Sequence, residues 1–216
     1  MRTVRFAPLL AVVLAVLTAC DSNSPLTPIS AAWLEWSDSV AAGAPFGVRV
    51  KGIGFVSDVR IQVRVQGDTM VIEPYTVAQP CRTYCPPVAF VAFDTLVWVS
   101  GIAATSARTV TLRASSDFHA ATGPPWPLRT FGMLIVSPTV PVQPLMRSVG
   151  VGSGFRDALG CYFVVPGTPF RRYISADQAP SWAPGFTGFT YGRIDPVLRS
   201  VCLDDAYVIK VDSIIQ

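Results

Sequence analysis

Val59-Arg60-Ile61-Gln62-Val63-Arg64-Val65-Gln66 alternates apolar and polar positions without a break for eight residues. A period of two, with β-branched residues on one face and polar ones on the other, predicts a half-buried antiparallel strand. The same period recurs in Phe46–Lys51, where Phe46, Val48 and Val50 share a face, and in Arg108–Ala114. Gly67-Asp68 turns the eight-residue run into another, Thr69–Tyr75. Ala32–Trp36, the long apolar stretch Val88–Ser100 and Leu128–Val136 complete the set. That makes about seven strands between Ala31 and Ser137, with no helical period among them, and predicts an antiparallel sandwich.

Ser137-Pro138-Thr139-Val140-Pro141-Val142-Gln143-Pro144 interrupts the pattern. Its prolines deny ladder donors and favour an extended spacer. Beyond it the runs are shorter: Met146–Val151, Gly160–Val165, Arg172–Ile174, Phe186–Ile194, Leu198–Leu203 and Tyr207–Ile215. Gly188 and Gly192 inside one run are the signature of sharp bends in a small barrel. The expected organisation is therefore a β-sandwich over 31–137, a linker at 138–144 and a small barrel over 145–216, all-β throughout.

The N-terminal region changes where this structure is expected to sit. Met1-Arg2-Thr3-Val4-Arg5 is basic, Phe6–Val16 is an apolar run, and Leu17-Thr18-Ala19-Cys20 closes it with small residues. This is the layout of a secretion signal, too short to remain as a spanning helix. Leu17-Thr18-Ala19-Cys20 resembles the lipobox of bacterial lipoproteins. The resemblance implies that 1–19 is removed and that Cys20 is acylated, anchoring the protein to a membrane of the cell envelope. It then faces the periplasm or the cell surface. Residues 20–30, polar and broken by Pro25 and Pro28, read as the tether.

Half of the 216 residues are hydrophobic and 14% are charged, a composition that folds. Without Arg2 and Arg5 the chain carries 15 basic residues against 14 acidic, so the footprint of a nucleic-acid-binding protein is missing. Beyond Cys20 there are four cysteines: Cys81, Cys85, Cys161 and Cys202. In an oxidising compartment they read as two disulfides. Of the three pairings open to them, Cys81–Cys85 and Cys161–Cys202 keep each bridge within one domain. The second would close a loop of about 41 residues, worth roughly 4 kcal/mol to a small barrel on the chain-entropy account.

Two further resemblances extend these expectations. Asp38-Ser39-Val40, then Ala42-Gly43-Ala44-Pro45-Phe46 and alternating valines, is similar to the start of many bacterial immunoglobulin-like repeats. The antibody-type Cys-Trp-Cys core is not present, so the likeness is one of architecture. Gly160-Cys161, with Ser200-Val201-Cys202 ahead of the last strand, resembles the small OB-like barrels of bacterial lipoproteins, which implies the Cys161–Cys202 staple. An immunoglobulin-like sandwich followed by an OB-like barrel is the fold these likenesses imply.

Candidate chemistry is sparse. The single histidine, His119, lies in the loop Ser115-Ser116-Asp117-Phe118-His119, and no nucleophile is placed beside it. Ser153 in Gly150-Val151-Gly152-Ser153-Gly154 lacks the glycines two positions to either side that a nucleophile elbow needs. Cys81-x3-Cys85 has zinc-like spacing, but the other two thiols fall in the second domain. Asp204, Asp205 and Asp212 lack the alternating oxygen ligands of a calcium loop. The reading is non-enzymatic, with no metal and no cofactor. Trp126 and Trp182, each held in a Pro-rich loop, are the binding candidates: such an indole either stacks on a sugar or anchors a protein, or folds back on its own domain. Trp33, Trp36 and Trp98 fall in strands and are expected in the core. The expected role is a structural or binding component of the envelope; the alternative is a carbohydrate-binding module.

Overall fold

The computed structural model describes residues 26–55, 59–77, 90–116, 126–141, 144–156, 162–165, 172–174, 186–195 and 208–215. The cysteines, His119 and Trp182 lie outside the described residues, as do Asp204, Asp205 and the run Leu198–Leu203. Every helix or strand among the described residues is a strand, as the alternation predicts. In chain order they are β1 (Leu26–Pro28), β2 (Ser30–Ser37), β3 (Ser39–Ala41), β4 (Phe46–Phe55), β5 (Val59–Gln66), β6 (Thr69–Val77) and β7 (Phe90–Val99). There follow β8 (Arg108–Ser115), β9 (Leu128–Ser137), β10 (Met146–Arg156), β11 (Tyr162–Val165), β12 (Arg172–Ile174), β13 (Phe186–Asp195) and β14 (Val208–Ile215). β1 falls in the stretch read as tether: it pairs with β6, and Ile29 after it is buried.

The strands form two sheets. The first runs β1-β6-β8-β9-β3, with β5 also paired to β6. The second runs β7-β4-β2-β10-β13-β14-β12-β11, and β11 returns to pair with β10. Its last five strands therefore close a circuit of pairings, whereas β7 ends the other side. Leu34, Trp36, Val48 and Val50 of the second sheet share one core with Met70, Ile72, Val110, Leu112, Leu134 and Val136 of the first. This apolar contact is what holds the sheets face to face. Val149 of β10 joins the same core, so a strand from beyond the Pro-rich segment belongs to the sheet that also contains β2 and β4.

Three irregularities reset the alternation, one of them in β9, where the step from Leu112–Gly132 to Arg113–Thr130 makes Phe131 the extra residue. In β2 the register steps from Ala31–Gly52 to Trp33–Lys51, leaving Ala32 as the extra residue. An extra residue reverses which face later side chains take. Ala31, Leu34 and Trp36 thus enter the core while Trp33 and Glu35 turn to the opposite face, and all five are buried. Gly150 of β10 faces this bulge. A Cβ there would stand 2.2 Å from the Ala32 carbonyl oxygen, so only glycine lets the strands meet. In β13 and β14 the step from Tyr191–Ser213 to Gly192–Val211 makes Asp212 the extra residue. Its carboxylate meets Arg147 at 3.2 Å and Arg193 at 3.6 Å. Asp212 is thus engaged in ion pairs, and Asp204 and Asp205 lie outside the described residues.

Candidate ligand-binding site

The face of the second sheet turned away from the core carries three rows of side chains across β10, β2, β4 and β7. The first row is Gly150, Trp33, Lys51 and Asp94; the second is Ser148, Glu35, Arg49 and Leu96. The third ends in Gly47 and Trp98. Alternation places all of them on one face, yet their surroundings change sharply from row to row.

On β10 and β2, and at Lys51 of β4, the first two rows are closed to water; toward β7 they open. Lys51 is 1% exposed and Glu35 3%, with their charges 3.1 Å apart. Ser148, fully buried, accepts the Trp33 Nε1 proton at 2.8 Å and donates toward Glu35 Oε1 at 3.4 Å. Lys51 also reaches Asp94 at 3.8 Å, and Arg49 Nε donates to the other Asp94 oxygen at 2.7 Å. The result is a chain of alternating charges, Glu35–Lys51–Asp94–Arg49, running from the interior to solvent. Partial burial raises the Asp94 carboxyl above its ordinary range; Arg49 opposes this by charge and hydrogen bond, and Glu35 adds to it by repulsion. Paired and hydrogen-bonded in this way, buried charges are tolerated without implying chemistry.

At the far end of the same face the side chains are open. Trp98 is 68% exposed and Leu96 51%. Trp98 is thus not the core residue that its place in an apolar run predicts. Its cross-strand neighbour is Gly47, and a Cβ on Gly47 would come within 2.9 Å of Leu96 Cδ1. The absent side chain lets Leu96 lean across Gly47, so the indole stands beside an apolar floor.

Trp98 also borders a groove of about 580 Å³ where the outermost strands of the two sheets, β5 and β7, come together. Val63 and Val65 form one wall, with Ile102, Gly67 and Arg108 around the end. The walls are tied in place. The Gly43 amide donates to the Ile102 carbonyl at 2.9 Å, and the Thr111 amide to the Asp68 carbonyl at 2.8 Å. Gly67, at φ 55°, takes the left-handed conformation that the tight β5–β6 hairpin turn needs. Arg108 donates to the Gly67 carbonyl at 2.6 Å and pairs with Asp68 at 3.0 Å. A volume of this size lies in the range of small-molecule sites.

The residues singled out from the sequence fall elsewhere. Cys20, Cys81, Cys85, Cys161, Cys202, Trp182 and His119 lie outside the described residues. Trp126 is partly buried beside Leu128, which pairs with Ser115 at the end of β8; the groove is at the other end, beside Arg108. Seven residues of strand, about 23 Å, separate the two. Ser153 lies within β10, paired with Val165 and Thr187, and is no strand-to-helix elbow. Arg64 pairs with Glu73 and Arg49 with Asp94 on strand faces open to solvent. Among the described residues no three potential metal ligands cluster. Compared with protein families, curated proteins and solved structures, the chain matches none.

Proposed function

We propose that this chain is an exported bacterial lipoprotein, anchored through Cys20, whose β structure serves as a non-enzymatic binding or structural component of the cell envelope. The binding half of this reading is carried by one observation: a Trp two-thirds exposed beside a pre-formed groove. Exposed indoles contribute little to folding and much to recognition. The charged groups along the same face are held in ion pairs, which favours a binding role over acid–base chemistry. The anchor half rests on the basic start, the apolar run and Leu17-Thr18-Ala19-Cys20. The two facing sheets support the immunoglobulin-like sandwich, and the five-strand circuit supports the OB-like barrel.

Peptide mass mapping of the protein taken from bacterial membranes, with and without reduction, tests this reading. Diacylglycerol on Cys20, with Cys81–Cys85 and Cys161–Cys202 bridged, is the expected result. Free thiols on an unlipidated chain would overturn it. The alternative, a carbohydrate-binding module, has Trp126 and Trp182 as its candidates in the sequence. Trp126 is partly buried, so the exposed indole of Trp98 moves that alternative to the groove.

A further inference from the structure

We infer that the surface around Trp98 binds a neutral carbohydrate, the indole stacking against the apolar face of a pyranose ring. The inference rests on the binding role proposed above and names its ligand. Three features of the site select that chemistry.

The first is shape. Trp98 is 68% exposed, and opposite it Gly47 carries no side chain, so Leu96 leans across that position and lays an apolar floor beside the indole. Leu96 continues the apolar surface along β7, and Asp94 ends it. From Trp98 to Asp94 the shelf runs about 13 Å, longer than one sugar ring. A flat, amphipathic ring with C–H bonds on one face and hydroxyls at its rim matches an indole next to a polar edge.

The second is charge. The cations flanking the site are matched: Arg49 by Asp94 at 2.7 Å, and Arg108 by Asp68 at 3.0 Å. A phosphate, an acidic glycan or an acidic peptide would have to break these pairs. A neutral polyol need not, because Arg49 and Asp94 offer it donors and acceptors side by side while keeping each other.

The third weighs against one competitor, an extended peptide added to the β5 edge. β5, on the other side of the groove, turns Arg60, Gln62, Arg64 and Gln66 to solvent. Charged residues along an edge strand discourage strand addition.

The test uses the full chain in detergent micelles. A glycan array finds neutral oligosaccharides that bind, and calorimetry measures the best of them against the unmutated protein, Trp98→Ala, Trp98→Phe and Trp126→Ala, each checked for native circular dichroism. The expected result is a Kd weakened about tenfold or more by Trp98→Ala, with partial retention in Trp98→Phe and no change in Trp126→Ala. Quenching or blue shift of tryptophan fluorescence on binding disappears with Trp98. Glycan binding untouched by Trp98→Ala, or lost with Trp126→Ala, overturns the site. Sedimentation of the same proteins with purified cell envelopes separates this inference from the reading beneath it. Trp98-dependent sedimentation without any neutral glycan bound overturns the ligand class and leaves the binding role standing. Neither sedimentation nor glycan binding removes both.

Discussion

Lys51 and Arg49 are two positions apart on β4 and point to the same face of the same sheet. Lys51 is 1% exposed, whereas the Arg49 side chain is 44% exposed. Around Lys51 the polar groups are satisfied from within: Glu35, Asp94, Ser148 and the Trp33 indole form one connected network. Around Arg49 the surface carries what folding does not need, an open Trp and an open Leu beside a glycine. An indole buried with its N–H satisfied, like that of Trp33, and an indole left in water, like that of Trp98, are the same residue in two kinds of employment. The first belongs to the fold. The second has no stabilising role to explain it, and so points outward to a ligand.

The comparison breaks most visibly at Lys51. Replacing it with Met leaves the Glu35 carboxylate buried without the ammonium, a change that costs about 3–5 kcal/mol. Removing both charges, in Glu35→Leu with Lys51→Met, should recover most of that loss, because an apolar pair of similar volume has no desolvation to offset. Urea denaturation of the two variants measures the difference. If the single variant melts where the unmutated protein does, the covered end is not dry and the contrast between the two ends fails. Ser148→Ala is the smaller version of the same experiment. It strips the acceptor from the Trp33 N–H in a fully buried position, and should cost about 1–3 kcal/mol. Ser148→Ala lies away from the Trp98 surface, so glycan binding by the folded fraction should survive it.

Much of this was legible in the chain, and the part that was not has identifiable causes. The unbroken alternation of β5 gave its span and its half-buried face, because an edge strand has one wet side and one dry side. β2 did not reveal itself in the same way. It is buried on both faces, and the extra Ala32 shifts its phase midway, so Trp33 and Trp36, both interior as expected, lie on opposite faces of the strand, which the pattern did not show. The run that contains β7 is almost uniformly apolar, which hides the fact that Asp94, Leu96 and Trp98 face out while Phe93 and Val99 face in. Gly47 was the available signal: a glycine inside an alternating strand marks a place where something lies close. The pairing of β10 with β2 joins residues more than a hundred positions apart, and no local pattern carries that information.

The finest test lies at Asp94, where the covered and open ends meet. Partial burial lifts its carboxyl above the ordinary value of 3.8, Arg49 pulls it down, and Glu35 pushes it further up; burial prevails. The folded protein therefore holds the Asp94 proton more tightly than the unfolded chain does. The stability this confers is fully present below the unfolded value and is lost as pH rises through the raised one. Asp94→Asn, neutral throughout, removes this slope. The stability of the variant relative to the unmutated protein should thus rise on going from about pH 3 to about pH 6, read as the difference in urea midpoints at each pH. A difference that moves the other way would mean that Arg49 and Lys51 stabilise the charged form more than burial disfavours it. Asp94 would then belong to the open, solvated end of the face, and the boundary between the two ends would lie one strand further in, at Lys51 of β4.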